Sequence, residues 1–194
     1  MKKQAYITSL CLSGALIYFN SFAQVMEKSH VIGEPLQYSK DGKFQGCGVN
    51  FRFLEDSRNP QLNYATFSVN FYADNLNAAL LKTTYSKATF SSNPPLTQKK
   101  KIDSSWVRLN SGNPLGTLKT MKGEEDSILS ITESSKALEF LSEILEGSPK
   151  FQLGIKESSK QIELIMYGSA LIKDEDKMQM ANCFKELVER SNIK

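Results

Sequence analysis

The chain has 194 residues, of which 40% are hydrophobic, and a formal net charge of +3. This length suits one domain with a continuous apolar core. A charge so close to neutral argues against a surface built for phosphate contacts, and we therefore predict no nucleic-acid partner.

The first 23 residues have the pattern of a secretory signal peptide. Lys2 and Lys3 form a positive start, and a mainly apolar run follows. Small residues, Ser21 and Ala23, then occupy the two positions that a signal peptidase reads. We therefore predict that residues 1–23 are removed by cleavage after Ala23.

Cleavage leaves residues 24–194 as a single exported domain and lowers the formal charge from +3 to +1. No later segment approaches the roughly 20 apolar residues of a spanning helix, so we expect no stable membrane span after cleavage. An uncleaved anchor is one alternative. A lipoprotein built on Cys11 is another, disfavoured because bulky Leu10 precedes the cysteine. The expected location is the periplasm, or the medium if secretion continues.

Two cysteines remain in the exported part and are expected to form a disulfide. Residues 47–53 alternate in the manner of a strand, which places Cys47 on the same inward face as the apolar residues of that run. Residues 174–191 read as a helix with an acidic first turn, and Cys183 lies on its apolar face. Two inward cysteines in an oxidising compartment favour a bridge over two buried thiols.

The order of the predicted elements indicates the fold class. Asp41-Gly42 is typical of a tight hairpin turn. The residues just after the cleavage site, including His30, are expected to form a loose segment. The predicted strands are residues 36–39, 43–54, 63–72, 80–90, 105–109, 128–131, 151–156 and 161–167. A helix begins at Thr132 or Ser134 and ends at Gly147, and the second helix closes the chain.

Strands lead and helices enter only in the second half of the chain. This order favours an α+β fold, with a mostly antiparallel curved sheet covered by two helices in the C-terminal half. A β-sandwich with helical additions is the alternative.

The residue types that carry catalysis or bind metals are scarce. The only histidine is His30, in the segment after the cleavage site that is expected to be loose, which argues against a catalytic triad. One histidine and two distant cysteines cannot supply the usual zinc ligands. We therefore predict a protein that is not an enzyme, with no cofactor and no metal. Glu55 and Asp56 keep one alternative open, a cell-wall hydrolase that works through two carboxylates.

Exposed aromatic and charged residues are the remaining candidates for function. Tyr64 and Tyr72 lie on the polar face of one predicted strand, and Trp106 alternates away from the apolar residues of another. Such rings bury a large area at low entropic cost when they bind a partner, although a helix packed over that face would instead bury them. The run Lys99, Lys100 and Lys101 lies in one long predicted loop and acidic residues 124–126 lie in another, so the two loops would have opposite charges that steer a partner or are simply solvated.

The layout, with one cysteine in an early strand and another in the last helix, resembles that of many small exported envelope proteins of Gram-negative bacteria, although no motif ties the chain to one family. The leading prediction is a non-enzymatic periplasmic domain that binds another envelope or secreted protein. It would be an accessory of a secretion machine, or an inhibitor or immunity-type protein. The alternatives are the hydrolase and a carrier of a small lipid or metabolite, which requires a large apolar cavity between sheet and helices.

Overall fold

The computed structural model describes residues 23–191, apart from 91–95, 111, 125 and 148. The predicted signal peptide lies almost wholly outside the described residues. Within them the chain forms ten strands and two helices. The strands are β1 (Ala23–Lys40), β2 (Lys43–Glu55), β3 (Gln61–Tyr72), β4 (Asn75–Thr89), β5 (Leu96–Lys99), β6 (Ile102–Leu109), β7 (Lys119–Lys122), β8 (Ser127–Glu133), β9 (Lys150–Glu157) and β10 (Ile162–Leu171), and the helices are α1 (Ser134–Glu146) and α2 (Asp174–Ser191).

The strands form one curved sheet rather than a sandwich of two. Its order is β6-β9-β10-β1-β2-β3-β4-β8-β7, with β5 beside β4. The pairing is antiparallel except between β1 and β10, which run parallel. The sheet curls until β6 approaches β4, where the Ser105 hydroxyl donates to Thr83 Oγ1 at 2.9 Å. The prediction of an α+β fold with a mostly antiparallel, curved sheet is confirmed, and the sandwich alternative is wrong.

The first strand differs most from the sequence prediction. The segment expected to be loose belongs to β1, which is 18 residues long. Its first part pairs with β10 and its second part with β2. Because β10 lies far away in the sequence, no local pattern announces this pairing. His30 sits within β1, with its side chain 62% exposed and its Nε2 atom 3.4 Å from an Asp56 carboxylate oxygen.

The turns and short strands follow simple local rules. Asp41 and Gly42 have φ angles of 53° and 72°, as the predicted tight turn between β1 and β2 requires. Two segments predicted as loops contain the four-residue strands β5 and β7, both largely exposed. These strands were missed because a fully exposed strand has no alternation of apolar and polar residues.

Phenylalanine rings fill the space between the sheet and α1. Phe151 lies at the centre, with its ring centroid 4.8 Å from that of Phe51 and 5.4 Å from that of Phe140. The rings of Phe53 and Phe67 complete the cluster. A close-packed aromatic interior of this kind supplies most of the apolar burial that holds a sheet and a helix together.

Both helices lie at the same end of the curled sheet, which we call the closed end. Helix α1 follows β8 and buries Phe140 against Phe67 of β3. Helix α2 is tied to β2 by the disulfide between Cys47 and Cys183, and its Phe184 packs edge-on against Phe71. The predicted disulfide and the two helices in the C-terminal half are therefore confirmed. In the described part of the chain, neither helix is long and apolar enough to cross a membrane.

Candidate functional site

Three tyrosines lie on the outward face of β1–β3, which we call the tyrosine face. The alternation of β3 sends Ala65, Phe67 and the other buried apolar residues inward, and it sends Tyr64 and Tyr72 outward. Strand β1 adds Tyr38. The predicted contact residues Tyr64 and Tyr72 thus share one surface.

A glycine on β2 brings two of these rings together. Gly46 pairs with Tyr38 on one side and with Tyr72 on the other. Because Gly46 has no side chain, the two rings meet across it, with centroids 5.5 Å apart and planes inclined by 26°. An aromatic ring that packs over a glycine in a sheet replaces the packing that the missing side chain would give.

Hydrogen bonds hold the Tyr38 side of this tyrosine pair in place. The Tyr38 hydroxyl donates to Asn70 Oδ1, while the amide nitrogen of Asn70 donates to the Leu80 carbonyl at 2.9 Å and to Ser68 Oγ at 3.0 Å. Burial, and to a lesser extent the neighbouring Tyr72, raises the pKa of Tyr38 to about 12. The Tyr38 ring is therefore held by a hydrogen bond and the Tyr72 ring stacks on it, and rings that are already ordered lower the entropic cost of association.

A surface ion pair lies beside Tyr64. The Arg52 guanidinium binds the Glu34 carboxylate, and each side chain is 41% exposed. Burial raises the pKa of Tyr64, and the Arg52 charge partly offsets the rise. An exposed pair of this type adds little stability, but it gives the tyrosine face a charged group of each sign for orienting a partner.

The helix contacts described above lie on the inner face of the sheet, not on the tyrosine face. They involve Cys47, Phe67 and Phe71, which all point inward. The tyrosines are half-buried because neighbouring side chains of the sheet pack around them. Tyr38 was not among the predicted contact residues, since its own predicted strand was too short to show alternation.

Trp106 is held on a different part of the outer surface. Strand β6 stands at one end of the strand order, far from β3. The indole lies over Gly154, where any side chain would collide with it, and its Nε1 donates to Glu163 Oε1 at 2.6 Å. The Arg108 guanidinium lies 5.0 Å from the ring centroid. The structure therefore does not bring Trp106 together with the two predicted tyrosines.

The lysine run meets the acidic loop directly. Lys99 Nζ lies 3.5 Å from an Asp126 oxygen and 4.0 Å from a Glu124 oxygen. Lys100 donates to Gln98 Oε1 at 2.8 Å, and Lys101 is exposed. The opposite charges of the two segments compensate each other, which weakens the case for steering a partner.

The end of the curled sheet opposite the helices, which we call the open end, carries a cavity of about 210 Å³ with both polar and apolar lining residues. It is lined by the ends of five strands, and its polar lining residues are Glu27, Asn63, Tyr85, Lys87, Glu157 and Lys160. Glu55 lies behind Asn63, where its Oε2 accepts from both the backbone and the side-chain nitrogen at 2.8 Å. Sequence reasoning named Glu55 but missed Glu27 and Glu157, because distant strands supply them.

Electrostatic coupling shows that these acids converge. Burial raises the pKa of Tyr85, and the carboxylates of Glu157, Glu55 and Glu27 raise it further. Burial and the charge of Glu55 also raise the pKa of Glu27. Tyr85 donates to Asn63 Oδ1 at 2.7 Å, and Lys160 pairs with Glu157 at 2.8 Å. A carboxyl group whose pKa is raised by burial and by a neighbouring carboxylate is a candidate for acid–base chemistry.

Among the described residues, no group of three or more His, Cys, Asp and Glu side chains is placed to hold a metal ion. Comparisons of the chain with protein-family models, with curated proteins and with solved structures find no match.

Proposed function

We propose that the chain is an exported, non-enzymatic domain of the periplasm that binds another envelope or secreted protein through its tyrosine face. The observation that carries the proposal is the fixed pair Tyr38 and Tyr72, stacked on a surface away from the helix contacts. The proposed roles are an accessory of an envelope or secretion machine, or an inhibitor or immunity-type protein.

Export is supported by two independent features. The first 23 residues carry the signal-peptide pattern, and a disulfide joins Cys47 to Cys183 across 136 residues of sequence. Structural disulfides form and persist in oxidising compartments. Intact-mass measurement of the protein recovered from cells tests this step. The expected mass is that of residues 24–194 with both thiols oxidised, and an intact leader or two alkylatable thiols would contradict it.

Binding through the tyrosine face is supported by the chemistry of its side chains. Tyrosine supplies large apolar area with few rotatable bonds and one polar tip, and it is enriched at binding hot spots. The Tyr38 ring is held by the Asn70 network and Tyr72 stacks on it, and the pair Arg52–Glu34 provides polar contacts beside Tyr64.

Affinity capture from a periplasmic extract, followed by mass spectrometry, tests this surface. We expect a partner that is retained by the unmodified protein and by the control Phe90→Ala, which truncates a half-exposed ring outside the face. The same partner should be lost with Tyr72→Ala and with Tyr64→Ala, because hot-spot truncations cost about 2 kcal/mol or more. Equal recovery by all four proteins would contradict the assignment of the surface.

A carboxylate-dependent cell-wall hydrolase is the second candidate, favoured by the convergence of Glu27, Glu55 and Glu157 at the open end. It predicts release of soluble fragments when the purified protein is incubated with peptidoglycan. The change Glu27→Gln should then abolish release while the thermal midpoint stays close to that of the unmodified protein. Absence of release by the unmodified protein would exclude this candidate.

A further inference from the structure

A second cavity lies where the curled sheet fails to close, and neither the tyrosine face nor the open end includes it. We call it the seam cavity. Its volume is about 250 Å³. The lining residues are Phe67, Leu81, Thr83, Ser105, Trp106, Val107, Pro114, Leu115, Gly116, Thr117, Ile128 and Ser130.

Backbone and side-chain hydrogen bonds hold the outer wall of this cavity in place. The Leu115 amide donates to the Val107 carbonyl of β6 at 2.8 Å, and the Leu118 amide donates to the Ile131 carbonyl of β8 at 2.7 Å. The Thr132 hydroxyl donates to the Gly116 carbonyl at 2.6 Å. The segment 112–118 thus bridges the two sides of the gap between β6 and β8, and the cavity is preformed.

Hydroxyl groups gather around this cavity on strand faces that are otherwise apolar. Thr83, Ser105 and Ser130 come from β4, β6 and β8, at inward positions flanked by residues such as Leu81, Val107 and Ile128. Thr83 is only 3% exposed, at a site where valine would have the same shape. Each of the three hydroxyls has a hydrogen-bond partner within the protein, and together they give this otherwise apolar cavity a side that can form hydrogen bonds.

The hydrogen bonds in the structure leave capacity for a bound molecule. Ser105 and Thr83 share one bond, at 2.9 Å, and Ser130 Oγ lies 3.2 Å from Thr120 Oγ1. Each hydroxyl has one donor and two acceptor lone pairs, so a pair joined by one bond retains both kinds of group for a third molecule.

The charge of the lining limits the class of ligand. None of the twelve lining residues carries a charged side chain, so an ion would lose its hydration without a partner of opposite charge. The volume is slightly below the roughly 300–1,000 Å³ typical of pockets for drug-sized ligands. We infer that the seam cavity binds a small uncharged molecule rich in hydroxyl groups, of the size of a single sugar ring. This inference is independent of the tyrosine face.

Titration calorimetry with single sugars tests the inference directly. The probes are glucose, glucosamine and glucuronate, which present one ring in neutral, cationic and anionic form. We expect a saturable heat of binding with millimolar glucose and a much weaker response to either charged sugar. No saturable response to glucose, or equal responses to all three sugars, would overturn the inference.

Adjacent threonines of β4 provide a matched pair of variants. Thr83→Val removes a cavity hydroxyl, whereas Thr84→Val removes one from the outward face, where Thr84 bonds Thr66 at 2.7 Å. Loss of one or two hydrogen bonds to glucose should weaken binding about three- to tenfold in Thr83→Val, and binding should be unchanged in Thr84→Val. Ser130→Ala provides a second test if Thr83→Val does not fold. An equal effect of the inward and outward changes would also overturn the assignment.

Discussion

The two ends of the curled sheet are built from opposite chemistry. At the closed end, helices, phenylalanine rings and the disulfide exclude water from the sheet interior. At the open end the same inward strand faces finish in Glu27, Glu55, Tyr85 and Glu157 around a cavity. This fold therefore concentrates its stability at one end, and polar groups, whose burial is costly, collect at the other end. Four measurements test this contrast between the two ends.

Removal of the disulfide should produce the largest effect. In the chain-entropy model a link across 136 residues stabilises the folded state by about 4–5 kcal/mol. Urea unfolding with and without reductant measures this loss. The double variant Cys47→Ser with Cys183→Ser should be equally destabilised and insensitive to reductant. An unfolding midpoint that does not move with reductant in the unmodified protein would show that the closed end does not depend on its bridge.

Truncation of the central ring should come next. Phe151→Ala removes a fully buried ring that contacts several other phenylalanines, and we expect a loss of about 3–5 kcal/mol in the free energy of unfolding. The control Val25→Ala changes a 40% exposed side chain at the open end and should cost no more than about 0.5 kcal/mol. Comparable losses at the two ends would remove the contrast between them.

Asn63→Ala should have a smaller effect, since it breaks the polar network of the open end. The change removes the side-chain amide that donates to Glu55 Oε2, while the backbone N–H of residue 63 still donates to it, and it leaves the Tyr85 hydroxyl without its acceptor. We expect a loss of about 1–3 kcal/mol by chemical denaturation, because buried polar groups lose their partners. Asn77→Ala, at an exposed position, is the control and should leave the unfolding curve in place.

The smallest effect should be on the pH dependence of stability. Burial and the charge of Glu55 raise the pKa of Glu27 above its unfolded value of 4.5, so the folded state holds this proton more tightly. The contribution of Glu27 to stability is therefore present below pH 4.5 and is lost as the pH rises through the folded pKa. In the Glu27→Gln variant, the thermal midpoint should decrease less as the pH rises from 4.5 through the folded pKa of Glu27. A curve identical to that of the unmodified protein would contradict the coupling of these acids.

Sequence periodicity predicted most of the sheet because its central strands have one buried face. The alternation in β3 and the turn at Asp41-Gly42 were sufficient to place those elements correctly. The beginning of β1 and the short strands β5 and β7 were missed, because their pairing partners are distant or their faces are fully exposed.

The candidate sites were less predictable than the fold. Alternation placed Tyr64 and Tyr72 on one face, but the stacking of Tyr38 on Tyr72 depends on the register of three strands around Gly46. The same limit applies to Trp106, whose position over Gly154 requires the pairing of β6 with β9.

Local sequence patterns were sufficient to predict the fold class and the inward orientation of both cysteines, because periodicity and residue type act locally along the chain. The accessible surfaces and the contacts between polar groups depend instead on the tertiary structure. The acids of the open end and the hydroxyls of the seam cavity come from strands far apart in sequence, and the curl of the sheet brings them together. That curl arises from the summed twist and register of many strand pairs, which no single segment encodes.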